Sequence, residues 1–321
     1  MATYKGIQGY TVQKLSSDPG TLGDVVGQLW YNSTAGKFKV AVQGAGAWAS
    51  GGDINGARYR IDGGFGTTSA GAIAGGVYTP GYTASALVEE YNGTVWSEVN
   101  NIPSAEADTT LCGTQTAGLL IGGSSFTNWT LEYDGTSWAT SGNYPAPVSR
   151  VTVGGIQTAA FAVGGGNPTY TNTTNNYNGS SWTASGNYPT TTANTMVSGT
   201  QTAGLAFGGS SVNTNTYNGS SWASVNSLNI SRGEGGYSVS GTQTAALAIN
   251  GQPPPEAGSN VEQYDGSSWS EVADLTTGRS AGASVGTSTV AMYMGGSPVS
   301  PGVLTEEWAG SPVTAKVVTV S

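Results

Sequence analysis

The sequence predicts an all-β fold, a six-bladed β-propeller, and three observations carry that expectation. One motif recurs at Tyr91, Tyr133, Tyr177, Tyr217 and Tyr264, with Trp308 standing for the tyrosine in a sixth copy. The spacing is that of repeat folds in which each copy is one blade. Each copy also holds an apolar run closed by Gly-Gly, replaced once by Asn250-Gly251. In five copies an Asn-Gly or Asp-Gly pair and a Trp follow the Tyr: Trp96, Trp138, Trp182, Trp222 and Trp269.

The elements follow in chain order. Near the N-terminus Leu29 to Asn32 and Lys37 to Val42 are candidate strands, and a partial seventh blade stays open there. Residues 1–50 are read as a separate segment and 51–321 as the propeller. In the second copy Gly113 to Gly123 reads as an inner strand; Gly199 to Gly209 repeats it almost verbatim. Side chains alternate along a strand, so Gln115, Ala117, Leu119 and Ile121 share one face, opposite Thr116, Gly118 and Leu120. Gln157, Ala159, Phe161 and Val163 likewise oppose Ala160 and Ala162, and Leu205 and Phe207 oppose Gly204 and Ala206. Bulky faces need shallow partners, so stacked blades are expected. The pairs Asn92-Gly93, Asp134-Gly135, Asn178-Gly179, Asn218-Gly219 and Asp265-Gly266 predict two-residue hairpins with positive φ. The Trp after each starts an outermost strand and seals a seam between blades. In the last copy Ala309-Gly310 replaces the turn pair and Val313 stands in the Trp slot.

An apolar strand ending in Gly-Gly, followed by a spaced Tyr and Trp, resembles the kelch family over roughly residues 50 to 321; the copies are shorter than the roughly 50 residues usual for kelch. Gly27-Gln28-Leu29-Trp30-Tyr31-Asn32-Ser33-Thr34-Ala35-Gly36-Lys37-Phe38-Lys39-Val40 resembles a short hairpin element of bacteriophage tail-fibre and other virion proteins. That resemblance implies a virion protein made in the host cytoplasm, with residues 1–50 contacting other virion proteins and several copies associating on the particle.

Composition narrows the function. Only 9% of residues are charged, against about 25% in an ordinary soluble domain, so the surface relies on Gly, Ser, Thr and Asn. A net charge of −9, with every lysine near an end (Lys5, Lys14, Lys37, Lys39, Lys316), argues against nucleic acid. No apolar run approaches a membrane span and no secretory signal pattern is present. Cys112, the single cysteine, reads as a buried thiol in a chain without an internal disulfide. Seven Asn-x-Ser/Thr sequons, at Asn32, Asn92, Asn128, Asn172, Asn178, Asn218 and Asn229, read as turn chemistry.

Catalytic chemistry finds little support. With no histidine and no paired cysteine there is no zinc or copper ligand set and no cofactor is expected. Asp53, Asn55 and Asp62 lack the distant carboxylate of a calcium loop and read as solvated loop acids. The Asp-Gly-x-x-Trp runs Asp134 to Trp138 and Asp265 to Trp269 are one residue short of a sialidase Asp-box. Arg150, Arg232 and Arg279 each lie 10 to 12 residues after a Trp, which suggests structural duty. Glu89-Glu90 and Glu306-Glu307 are sequence neighbours pointing to opposite faces, so neither is a two-carboxylate hydrolase pair. The expectation is a non-enzymatic protein.

Short, uniform turns at Gly-Thr-Gln and Asn/Asp-Gly fall at one end of every blade, and variable loops fall at the other. Tyr78, Tyr82, Phe126, Trp129, Tyr144, Tyr170 and Tyr188 lie in the variable segments and are the candidate ligand-binding residues. Rings interleaved with amides suit sugar faces and hydroxyls. The resulting expectation is a tail fibre, spike or head fibre that attaches to host-surface glycan or protein through many weak contacts. The alternatives are an architectural decoration protein, a glycan-cleaving propeller and an intracellular scaffold.

Overall fold

The computed structural model describes residues 12–20, 27–44, 46–61, 63–78, 81–166, 168–233, 239–251, 258–297, 302–310 and 313–319. These residues form strands and turns and contain no helix. The chain divides into two compact units, Met1–Ala47 with Gly310–Ser321, and Trp48–Ala309.

The larger unit holds six four-stranded sheets and is β-propeller-like. The first runs Gly64–Thr67, Ala70–Ala74, Val88–Tyr91, Trp96–Val99, and the second Thr110–Thr114, Ala117–Ile121, Thr130–Tyr133, Trp138–Thr140. The third is Thr152–Ile156, Ala159–Val163, Thr174–Tyr177, Trp182–Ala184, and the fourth Thr195–Thr200, Ala203–Gly208, Thr214–Tyr217, Trp222–Val225. The fifth is Val239–Gly241, Ala246–Ile249, Val261–Tyr264, Trp269–Glu271. The first five are antiparallel meanders whose strand order follows the chain.

The sixth sheet departs from the expectation. Ala283–Gly286, Val290–Met294 and Thr305–Ala309 are followed in space by Ala47–Ser50, from the far end of the sequence. Trp48, and not Val313, therefore fills the Trp slot. Its ring lies 5.4 Å from that of Trp308, close to the 4.7 to 5.1 Å between Tyr and Trp in the other sheets. Val313–Val317 pairs instead with Lys37–Gln43 in the smaller unit. The boundary thus differs from 1–50 and 51–321, because hydrogen bonding assigns 47–50 to one sheet and 313–317 to another.

Alternation of large and small side chains explains how the sheets stack. Leu119 and Ile121 pack with Ala160 and Ala162 of the third sheet. Phe161 and Val163 meet Ala206 and Tyr217, and Leu205 and Phe207 meet Ala246 and Ala248. Leu247 and Ile249 meet Ala291 and Trp308, while Met292 and Met294 of the sixth sheet meet Ile73 and Tyr91 of the first. Gly204 is small by necessity, since a Cβ there would lie 2.5 Å from the Phe161 ring. The Tyr hydroxyls add polar ties between sheets: Tyr91 donates to Glu307 (3.1 Å), Tyr133 to Glu90 (2.8 Å) and Tyr177 to Glu132 (2.6 Å).

Two local expectations are corrected. The run from Gly113 is not one strand: Gly113 and Thr114 end the first strand, Gln115–Thr116 turn, and Gln115 clamps the preceding sheet by donating to Gly71 O and Tyr91 O. Gln157, Gln201 and Gln243 repeat this clamp. The Asn/Asp-Gly segments are four-residue loops, not two-residue hairpins, because Tyr133 pairs with Trp138 across Asp134–Ser137. Only the glycine takes positive φ, 89° at Gly135. The Asp134 carboxylate accepts the N–H groups of Thr136 and Ser137, an Asx cap that Asn178 and Asn218 repeat.

In the smaller unit Leu29–Asn32 and Lys37–Gln43 form the expected hairpin, flanked by Gln13–Leu15 and Val313–Val317. Asp18 accepts from Lys39 Nζ and Asn32 Nδ2 at 2.7 Å and from Trp30 Nε1 at 3.2 Å. Hydrogen bonding from Lys39 and then Asn32 holds its carboxyl below the usual range.

Candidate ligand-binding face

Antiparallel meanders fix which segments share an edge. In the first five sheets the turns after the first and third strands lie at one edge; the loops after the second strands and the connections between sheets lie at the other. All seven candidate aromatics belong to the second edge, but the structure separates them. Tyr82, Tyr170, Phe126 and Tyr78 are 77%, 46%, 45% and 36% exposed. Trp129 is half-buried against the core between the first and second sheets.

Tyr144 and Tyr188 are buried and are corrected to core residues. Each stands six residues after a Trp, where the other repeats carry Ile54, Ile102, Leu228 and Leu275, all buried as well. Asn175 Nδ2 donates to the Tyr144 hydroxyl at 2.9 Å and Asn215 Nδ2 to that of Tyr188 at 2.8 Å. Their rings meet Trp182 and Trp222 edge-on. The anchors Tyr91, Tyr133, Tyr177, Tyr217 and Tyr264 are buried with their paired Trp rings at 4.7 to 5.1 Å.

The arginines also sort by distance from the Trp. Ten residues on stand Arg58, Arg232 and Arg279, fully buried. Arg58 Nη2 pairs with Glu89 at 2.6 Å and donates through Nη1 to the carbonyls of Gly75 and Leu87. Arg232 pairs with Glu262 at 2.9 Å, and Arg279 with Glu306. Burial lowers the pKa of Arg58 and Arg232, which the facing carboxylates oppose. Glu89 and Glu306 thus serve buried pairs while Glu90 and Glu307 accept from neighbouring tyrosines.

Arg150 is different. It stands twelve residues after its Trp, the position of Arg60, Asp108, Asn194 and Ala281 in other sheets. All five have left-handed φ, between 53° and 59°, and the connection carrying them leads into the innermost strand. Main-chain bonds tie successive members together, Arg60 N–H to Ala281 O and Asn194 N–H to Arg150 O. Arg60 Nε lies 2.9 Å from Asp108 Oδ1 and Arg150 Nε 3.9 Å from Asp108 Oδ2. Arg150 Nη1 donates to the Tyr170 hydroxyl at 3.1 Å. Tyr82 packs edge-on against Tyr59, next to Arg60. The loop carrying Phe126 is fastened through Ser124 N–H to Ala107 O and through Ser125 N–H to Glu106. Arg60, Asp108 and Arg150 were missed as a group, although counting from the Trp would have aligned them.

Within the innermost strands lies a cavity of about 190 Å³, lined by glycines with Phe65, Leu111, Cys112, Val153, Val197, Ser198, Ser284 and Val285. Burial pushes the Cys112 thiol up to about 12. Among the described residues no group of three or more Cys, Asp or Glu side chains is placed to hold a metal ion. Asp53 Oδ1 accepts from Thr305 N–H and Asn55 donates to Glu89, so these residues build structure; Asp62 lies outside the described residues. No protein-family model matches the sequence, and none of the curated proteins is significantly similar to it.

Proposed function

We propose that residues 48–309 form a six-bladed, kelch-like β-propeller closed by Ala47–Ser50, and that the protein is a non-enzymatic bacteriophage virion component, a tail fibre, spike or head fibre, that attaches to host-surface glycan or protein. One observation carries the attachment reading: Tyr82, Phe126 and Tyr170, from three consecutive sheets, stand exposed at the same edge. Exposed rings grouped at one edge of a fixed scaffold are the kind of surface a partner covers. Tyr82 and Phe126 have φ of 53° and 52°, a conformation uncommon for bulky side chains.

The smaller unit is the part that docks onto other virion proteins. Its support is an apolar sheet face, on which Leu29 and Tyr31 stand opposite Val40 and Phe38, with Val42 alongside. Leu29, Phe38 and Val42 are 37%, 47% and 38% exposed. The test is adsorption of fluorescently labelled protein to bacterial cells. The intact protein should decorate host cells, and the triple variant Tyr82→Ser, Phe126→Ser, Tyr170→Ser should lose at least tenfold in binding while folding normally. Undiminished binding by the triple variant refutes the assignment of this edge.

A further inference from the structure

We propose that Arg60, Asp108, Arg150 and Tyr170 form a binding site for the carboxylate of an acidic saccharide, such as a sialic or uronic acid unit; this rests on the attachment reading and names its ligand class. Residues 48–309 hold seventeen acids and only five basic side chains, all arginine. Three of these, Arg58, Arg232 and Arg279, are buried against glutamates. The remaining two, at opposite sides of Asp108, are partly exposed, Arg60 by 34% and Arg150 by 23%. The only positive side chains of this unit that reach solvent therefore converge on one spot, at the edge that also carries the exposed rings.

The fold does not ask for this chemistry. The position requires left-handed φ, which Asn tolerates better than Arg, and Asn194 and Ala281 occupy it elsewhere. Asp108 tolerates the conformation as Asn does, but Arg60 and Arg150 hold it at a cost in backbone energy and without filling core. Asp108 is nearly buried and approached by Nε of both guanidiniums. It acts as a backing charge that draws both guanidiniums to one spot by ion pairing, while a guanidinium's planar fork suits a ligand carboxylate. Glu106 is also buried nearby, and its carboxylate is occupied by Ser124 Oγ and Ser125 N–H.

Tyr170, bonded to Arg150, supplies a flat apolar face beside a cation, and Tyr82 packs on Tyr59, the residue before Arg60 in the chain. Such rings suit the C–H face of a pyranose. The acidic surroundings oppose a polyanion, so the ligand carries isolated carboxylates, which excludes nucleic acid and densely sulfated chains.

The test titrates the whole protein with sialyllactose and a glucuronate disaccharide, against lactose as the neutral counterpart, by saturation-transfer NMR and calorimetry. The acidic sugars should bind at least tenfold more tightly than lactose and weaken with added salt. The variant Arg60→Gln with Arg150→Gln should abolish that preference and retain the circular dichroism of the parent. Equal binding of acidic and neutral sugars by the parent protein overturns this proposal and leaves glycan attachment standing. If an acidic peptide of equal charge binds and no sugar does, the ligand class is wrong. If cells are decorated and neither sugars nor peptide bind, this site is refuted independently of attachment.

Discussion

Removing the Trp48 ring should destabilise the larger unit as strongly as removing a central core residue, although Trp48 is 260 positions from its ring partner Trp308. The side chain is 8% exposed, and its Nε1–H donates to Ala273 O at 3.0 Å. A buried Trp removes about 200 Å² from water, which at about 25 cal/mol/Å² gives about 5 kcal/mol as an upper estimate. Measured large-to-Ala changes at such sites run about 3–5 kcal/mol. Trp48→Ala should therefore lower stability by about 4 kcal/mol, and Trp48→Phe, which keeps much of the ring and loses the hydrogen bond, by about 1–2 kcal/mol. Urea unfolding followed by circular dichroism measures both, with the slope compared to show that the unfolded state is unchanged. A shift below 1 kcal/mol for Trp48→Ala would mean that Ala47–Ser50 does not complete the sixth sheet.

Other consequences follow from the buried polar ties. Arg232→Met should cost about 3–5 kcal/mol because Glu262 is left charged and unpaired, and Arg232→Met with Glu262→Leu should recover much of it in a double-mutant cycle. Burial raises the Glu306 pKa, but hydrogen bonds from Thr276 and Arg279 outweigh it and the folded value lies below the ordinary one. Its contribution is therefore complete above about pH 5 and lost as pH falls through the depressed value; stability measured between pH 3 and 6 should fall less steeply in Glu306→Gln. Tyr144→Phe should cost about 1–3 kcal/mol by leaving Asn175 Nδ2 without its acceptor. Cell adsorption by the folded variant should be unchanged, since Tyr144 is core.

The repeat, the alternation of bulky and small faces and the short hairpin near Leu29 were legible in the sequence because each is a local pattern. What escaped was set by distance or by competing chemistry. Nothing near Ala47–Ser50 announces that it pairs with Thr305–Ala309, since the pairing depends on chain ends meeting in space. The Asp134-Gly135 turn was mistaken for a two-residue hairpin because the Asp side chain, not a second positive φ, satisfies the following N–H groups. Tyr144 and Tyr188 sit between Asn and Pro and read as loop residues, yet the equivalent Ile54 and Leu228 reveal a core position. Anchoring the repeat on Tyr also hid the fact that Arg150 belongs with Arg60 and Asp108 instead of with Arg232 and Arg279.

Cryo-electron microscopy of the virion proposed to carry this chain tests the central claim most directly. The account predicts that the edge bearing Tyr82, Phe126 and Tyr170 faces solvent while the sheet face of Leu29, Phe38 and Val42 is covered by neighbouring subunits. A particle in which Tyr82, Phe126 and Tyr170 are buried against neighbours would contradict attachment and make the protein architectural.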